Sequence, residues 1–317
     1  MNNKQKIDFD NLSQKEIPKI PELAGWKEID VDAKLESLVP VGILSDFDIF
    51  TSSIYYSEHN NSPYKPNQLH GSNITIFLRQ DVAKRLLQAE RLLPTGYHLT
   101  IFDGWRSLEV QKSLYDEYHN ALKNKFPNWD ESMLSEETQK YVSLPSDDPN
   151  KPSPHNTGGS VDLAIIRLPN NIEDDLEKLS SDEEAERAKI ILTHAEMLNF
   201  GTKFDWGGQE AALRYFEEQK EKRELSNEES KALKNRRILY HLMKTVGLEP
   251  YVDEWWHFNA TQSQMGAKTA GLSVASYGSA NLSDENIQFE NKRKTLSKDI
   301  GRETSLPMAA IIKPPEK

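Results

Sequence analysis

Strand-like and helical stretches alternate along this chain, which predicts a mixed α and β protein. β-Branched and aromatic residues concentrate at 74–78, 97–103 and 160–168, while apolar residues recur at helical spacing over 81–93, 107–126 and 233–246. With 317 residues and 37% hydrophobic content, the chain is of ordinary composition for a soluble enzyme that buries one core.

Residues 1–35 read as a polar lead-in broken by Pro18 and Pro21, and apolar density begins at Leu38, Val39 and Val41. The Tyr-, Asn-, Pro- and Ser-rich segment 52–73, with Tyr55, Tyr56 and Tyr64, reads as a long loop of the kind that covers sites. After the 74–78 strand, Val82, Leu86, Ala89 and Leu93 line one face of a helix that Pro94-Thr95-Gly96 ends. Strand 97–103 follows. Ser107 is placed to cap a helix over 107–126, with Glu109 in its first turn and Val110, Leu114, Tyr118 and Ala121 on one face. Segment 127–154 reads as a loop, Gly158-Gly159 permit a sharp turn, and a strand resumes over 160–168. The acidic run from 170 reads as a solvated insertion passing into a helix over 185–198. Residues 200–205 form a turn, 217–227 an exposed helix end, and Leu233, Ile238, Leu242 and Val246 a helix face closed by Gly247. The expected organisation is a catalytic domain over 36–265, with the insertion at about 170–199, and a tail over 266–317 that packs on it or is partly disordered.

The net charge of −11 argues against nucleic acid and anionic membrane, since either calls for a basic face to displace counterions. A mean hydropathy of −0.71 argues against a membrane protein, so the partner is expected to be small. Without cysteine, any metal must be held by His, Asp or Glu. The first 26 residues lack the apolar core of a secretory leader, which points to the cytoplasm, or to the periplasm or exterior if a leader has been removed. Oligomeric state is not legible.

Two segments carry the chemistry. Ser153-Pro154-His155 runs through Gly158-Gly159 to Asp162, and Glu254-Trp255-Trp256-His257 lies about ninety residues later. His155, Asp162 and His257 supply three ligand types for zinc, and Glu254 supplies a carboxylate to take a water's proton. On a strand, Trp255 and His257 would share one face while Trp256 and Phe258 fill the core, and Glu254 must lie where the chain bends into the strand to reach the metal side. Arg106, at the exit of the 97–103 strand, is the candidate for stabilising an oxyanion. His59, His70, His98, His119, His194 and His241 have no comparable setting, and no His-Glu-x-x-His, phosphate loop or nucleophile elbow occurs.

These motifs, together with Asp103-Gly104-Trp105-Arg106, Phe200-Gly201-Thr202-Lys203-Phe204-Asp205 and Asn235-Arg236-Arg237, resemble the VanX-type D-alanyl-D-alanine dipeptidases of the M15 zinc peptidases. The resemblance spans roughly residues 40–262. It implies an α+β fold, a small antiparallel sheet backed by helices of the M15, hedgehog-like type. It also implies one Zn2+ held by His155, Asp162 and His257, Glu254 as acid and base, Arg106 polarising the scissile carbonyl, Ser153 on the substrate carboxylate and Asp205 on its ammonium. The chain departs from the family pattern at Trp105 and Ser107, where Tyr and Pro are usual, and at Pro154, which has no N–H to offer a carboxylate. Peptidoglycan-trimming carboxypeptidase or endopeptidase activity, and a non-catalytic module supported by zinc, are the alternatives.

Overall fold

The computed structural model describes residues 6–300 apart from 22, 35, 58–63, 65–68, 140–141 and 181–182. His59, much of the expected loop over 52–73 and residues 301–317 of the expected tail lie outside the described residues.

The chain runs α1 (Phe9–Gln14), β1 (Asp30–Val31), β2 (Leu38–Val41), β3 (Phe50–Thr51), β4 (Ile76–Arg79), α2 (Gln80–Leu92), β5 (Tyr97–Asp103) and α3 (Leu108–Lys125). It continues through α4 (Glu131–Gln139), β6 (Ser160–Arg167), α5 (Asn170–Leu176), α6 (Glu184–His194), β7 (Glu196–Met197), α7 (Tyr215–Lys222) and α8 (Asn227–Thr245). It closes with β8 (Leu248–Pro250), β9 (His257–Ala260), α9 (Gln264–Thr269), β10 (Val274–Ala275) and α10 (Asp284–Ile300). The main sheet has the order β3-β5-β6-β9-β8, with β7 on the far end of β6. All of its pairs are antiparallel except β3–β5, so the α+β class expected from the sequence is the observed one.

β6 is buried along nearly its whole length because the sheet covers both its edges and helices cover its faces. Val82, Leu86 and Ala89 of α2, Val110, Leu114 and Tyr118 of α3, and Leu239, Leu242 and Met243 of α8 join it in one core. The α3 face continues through Leu122, not Ala121, which is exposed. Ser107 caps α3 by accepting from Val110 N–H. α8 begins six residues before Leu233 because Ser226 and Glu229 form a capping box ahead of it.

Two expectations need correction, and a third, the tail, gains a helix. The 127–154 loop contains α4, signalled by Asp130, whose carboxylate accepts from Met133 N–H, and anchored by one buried apolar residue, Leu134. The helix expected to reach 198 stops at His194, and Glu196 and Met197 pair with Arg167 and Ile166 instead. The tail carries α10, which polar side chains dock. Glu290 accepts from the N–H groups of Ile74 and Thr75, and Asn286 donates to Leu38 O. Among the described residues no helix is long and apolar enough to cross a membrane.

The polar lead-in is fastened by a buried ion pair. Arg237 on α8 grips Glu217 on α7 with two bonds of 2.7 and 2.6 Å and donates to Ser13 O, while Glu217 also accepts from Ile17 N–H. Both side chains are under 8% exposed. Glu217→Gln leaves the guanidinium buried without its counter-charge, and should lower unfolding free energy by about 3–5 kcal/mol. Urea denaturation measures this, and a loss under about 1 kcal/mol would contradict it.

Candidate functional site

Strand pairing assembles the site. On one side of β6, Asp162 lies opposite His257 of β9, and on the other it lies opposite Asp103 of β5. Directly paired residues project to one face, so three polar side chains meet across three strands. His155 arrives from the turn before β6, which Gly158 ends at φ +69°, where a Cβ would come within 2.3 Å of a Leu38 methyl.

His155 Nε2 lies 3.2 Å from His257 Nδ1, His257 Nδ1 lies 2.9 Å from Asp162 Oδ1, and His155 Nε2 lies 3.4 Å from Asp162 Oδ2. All three side chains are buried. The outer nitrogens have their own partners: His155 Nδ1–H donates to Gly104 O at 2.8 Å, and His257 Nε2–H donates to Asn259 Oδ1 at 3.1 Å. With the protons on those outer nitrogens, two imidazole lone pairs and a carboxylate converge on one point. A cation between three such acceptors would satisfy all of them at once, and this donor set suits a borderline-soft divalent metal. The electrostatics agree. Burial resists the charge on Asp162, yet His155 and His257 hold its carboxyl well below the usual carboxylate range. Burial likewise opposes protonation of His155, and Asp162 and Asp103 outweigh it, raising that imidazole's pKa. The cluster draws positive charge to itself.

Glu254 sits in the turn before β9, with Oε2 3.8 Å from His257 Nδ1. Its side chain is 34% exposed and lines the pocket, amid protein that desolvates it. Burial therefore pushes the carboxyl up, with Asp162 and Asp205 adding and His257 and Arg106 opposing. The strand geometry expected for the two tryptophans does not hold, because β9 begins only at His257. Trp255 is wholly buried, stacked on Phe200 at 4.2 Å with its indole N–H donating to Thr202 Oγ1, and Trp256 lines the pocket beside His257.

Arg106 also lines the pocket. Its Nε and Nη2 donate to Asp103 Oδ2, Nη2 also donates to Tyr55 OH, and Nη1 donates to Gln111 Oε1. Those bonds commit four of the five guanidinium N–H groups and leave one on Nη1. Asp103 reaches His155 Nδ1 at 3.2 Å as well, tying the guanidinium to the first histidine. Ser153 lines the same pocket, its Oγ accepting from Asn156 N–H. Asp205 is held at φ +61°, and its Oδ2 is buried without a hydrogen-bond partner. The structure thus brings all seven residues singled out in the sequence to one cavity of about 160 Å³. A larger cavity of about 460 Å³ lies at the other end of the sheet around His98, which bridges Glu90 and Glu173, and contains none of them.

Sequence reasoning missed several contributors. Tyr55, Tyr64, Gln111 and Tyr251 line the pocket, the last with its ring 5.6 Å from that of His257. Asn259 stands behind His257. The two tyrosines lie in the segment read as a covering loop; the others carry no local signal, because only tertiary packing brings them in.

Burial pushes Asp205 up to about 7 from an ordinary value of 3.8, with Asp162 and Asp103 adding and Arg106 opposing. An acid whose folded pKa exceeds its unfolded value costs stability as pH rises between the two. Asp205→Asn should therefore gain on the parent from pH 4 to pH 7 in metal-free protein, by on the order of 1–3 kcal/mol at pH 7, the two converging below pH 4. Identical urea midpoints at every pH would show that this carboxyl is not desolvated.

No family model matches the chain. Among curated proteins, it is similar to a D-alanyl-D-alanine dipeptidase of Synechocystis sp., 23% identical over 194 residues that cover 57% of this chain and 68% of the relative. Among solved structures, the LdcB LD-carboxypeptidase aligns at 12% identity and a TM-score of 0.32, over 91% of this chain and 95% of its own. The vancomycin-resistance D,D-pentapeptidase VanY, solved in complex with Zn(II), aligns at 14% identity and a TM-score of 0.28, over 79% and 96%. The motifs and the curated relative point the same way: this chain is similar to the D-alanyl-D-alanine dipeptidases of the M15 zinc peptidases.

Proposed function

We propose that this chain is a zinc-dependent dipeptidase that hydrolyses D-Ala-D-Ala or a related small dipeptide. The observation that carries this reading is the convergence of two imidazole lone pairs and the Asp162 carboxylate in a pocket that also presents Glu254 and Arg106. A fold-supporting metal site needs neither of those last two. The name of the Synechocystis relative supports the substrate class.

In this reading one zinc is held by His155 Nε2, Asp162 and His257 Nδ1. When bound there, the ion would supply Lewis acidity for the scissile carbonyl and for the attacking water. Glu254 takes the water's proton and returns it to the leaving amine. Its raised pKa suits a group that must both accept and donate near neutral pH. Arg106 offers its remaining N–H to the developing oxyanion, held in aim by Asp103 and Gln111. Asp205, a buried carboxyl lacking a partner on one oxygen, meets the substrate ammonium. Ser153 meets the substrate carboxylate through its hydroxyl, since Pro154 has no N–H to add. A clamp at both ends within a small cavity favours a dipeptide over a longer chain. The acidic surface charge fits a small partner rather than nucleic acid or membrane, and the cytoplasm is the proposed location.

Purified protein assayed against D-Ala-D-Ala, L-Ala-L-Ala and a muropeptide should cleave the first best, and a chelator should abolish the activity. Preference for the muropeptide would move the assignment to a wall-trimming peptidase. Absence of any chelator-sensitive cleavage would leave a binding module. Glu254→Ala should retain zinc and lose about 10²–10⁴-fold in kcat. A variant as active as the parent would take Glu254 out of the reaction.

A further inference from the structure

We infer that Asn259 is a positioning residue that selects the tautomer of His257 and thereby sets the affinity of the metal site. The inference rests on the reading of His257 as a ligand through Nδ1, and deepens it.

A neutral imidazole carries one proton. On His257 that proton can sit on Nδ1, where it blocks the ligand position, or on Nε2, where it leaves the ligand position open. The cluster itself favours the wrong choice. Asp162 Oδ1, 2.9 Å from Nδ1, is a charged acceptor ready for an Nδ1–H. What opposes it is the acceptor behind the ring: Asn259 Oδ1, 3.1 Å from Nε2, which takes an Nε2–H.

An asparagine amide is two-faced, so its orientation matters. Asn259 is 0% exposed and lies directly across the β6–β9 pair from Ser160, which is also 0% exposed and donates its hydroxyl to the same Oδ1 at 2.6 Å. The amide oxygen thus receives two donors, while Asn259 Nδ2 is buried with no hydrogen-bond partner. Turned by 180°, the amide would offer Nδ2 to both the hydroxyl and His257 Nε2, and would support the Nδ1–H tautomer that blocks the site. Two matched states result. With Oδ1 inward, His257 Nδ1 is a free lone pair and the NH2 group is stranded. With Nδ2 inward, His257 Nδ1–H is tied to Asp162. The second state strands the carbonyl and also takes from the buried Ser160 hydroxyl the acceptor it has in the first, so Ser160 favours Oδ1 inward. Zinc binding needs the first state, and a change that removes the second should not weaken it.

This gives an order of variants that simple packing would not. Asn259→Asp keeps the acceptor and removes the donor, so zinc should bind as tightly as in the parent or more tightly. Asn259→Leu keeps the volume and removes the acceptor, so zinc affinity should fall about 10–100-fold. If Asn259 only filled space, leucine would be tolerated and a buried aspartate would be the worse choice. Zinc affinity is read by competition with a chromophoric chelator, with circular dichroism confirming the fold. A leucine variant that binds like the parent, or an aspartate variant that binds more weakly than leucine, overturns the inference. A measurement on the zinc-loaded parent needs no variant. Imidazole ¹⁵N NMR should find the His257 proton on Nε2, and a proton on Nδ1 would equally overturn it. Failure of the parent to bind zinc at all would refute the proposed function instead, which keeps the two outcomes separate.

Discussion

The pairing of β6 with β9 is the constraint on which the rest of the site depends. Its register sets Asp162 opposite His257 and Ser160 opposite Asn259, so two candidate ligands and the two residues behind them form a single four-residue patch. A slip of one residue would send one strand's pair to the opposite face and dismantle the patch. The other edge of β6 is adjusted with equal specificity. From Ile101 opposite Leu163, simple counting would set Phe102 against Asp162, but the irregularity between 101 and 103 brings Asp103 there instead. That extra residue leaves Phe102 in the core against Phe204 and puts a carboxylate where it reaches both Arg106 and His155.

Around this patch, groups remote from the chemistry hold the loops that supply the other residues. Arg236, fully buried on α8, makes no ion pair among the described residues; its guanidinium donates to the carbonyls of Phe200, Glu210 and Ala212. Those three positions bracket Asp205, and Phe200 also stacks on Trp255 next to the turn bearing Glu254. One side chain thereby fastens the loop that presents one end of the pocket to the turn that presents Glu254. Burial without a carboxylate partner pulls its pKa down to about 9, a cost offset by three otherwise orphaned carbonyls. The Asn235-Arg236-Arg237 motif is thus architectural, its next member gripping Glu217 and the N-terminal segment.

How much of this was legible follows from what a sequence can encode locally. His155, Asp162, Glu254 and His257 could be read because their residue types are chemically distinctive and their neighbours, two glycines and two tryptophans, mark a turn and a buried strand start. Helices α2, α3 and α8 announced themselves through apolar spacing, and α3 also through its cap at Ser107. Asn259 and the second role of Asp103 could not be read, since each depends on which residue lies opposite across a strand pair. The faces of Trp255 and Trp256 were misassigned because alternation holds only inside a strand, and both precede one. Helix α10 escaped for a different reason: polar groups bonded to main-chain atoms dock it, which leaves no hydrophobic period to detect.

The charge balance of the pocket bears on how one site would take both a divalent cation and, in the proposed function, a substrate with a free amine. Asp162, Asp205 and Glu254 face it, and among the described residues Arg106 is the one Lys or Arg side chain lining it, already engaged by Asp103. Crowded carboxyls out of water relieve the excess by holding protons, which is why Asp205 and Glu254 are pushed up. Two positive charges at the His155–Asp162–His257 cluster would relieve the same excess without protons and return Glu254 toward a basic form. An ammonium beside Asp205 would complete the neutralisation. The shortage of positive charge is thus the property on which the proposed metal and the proposed substrate would both draw.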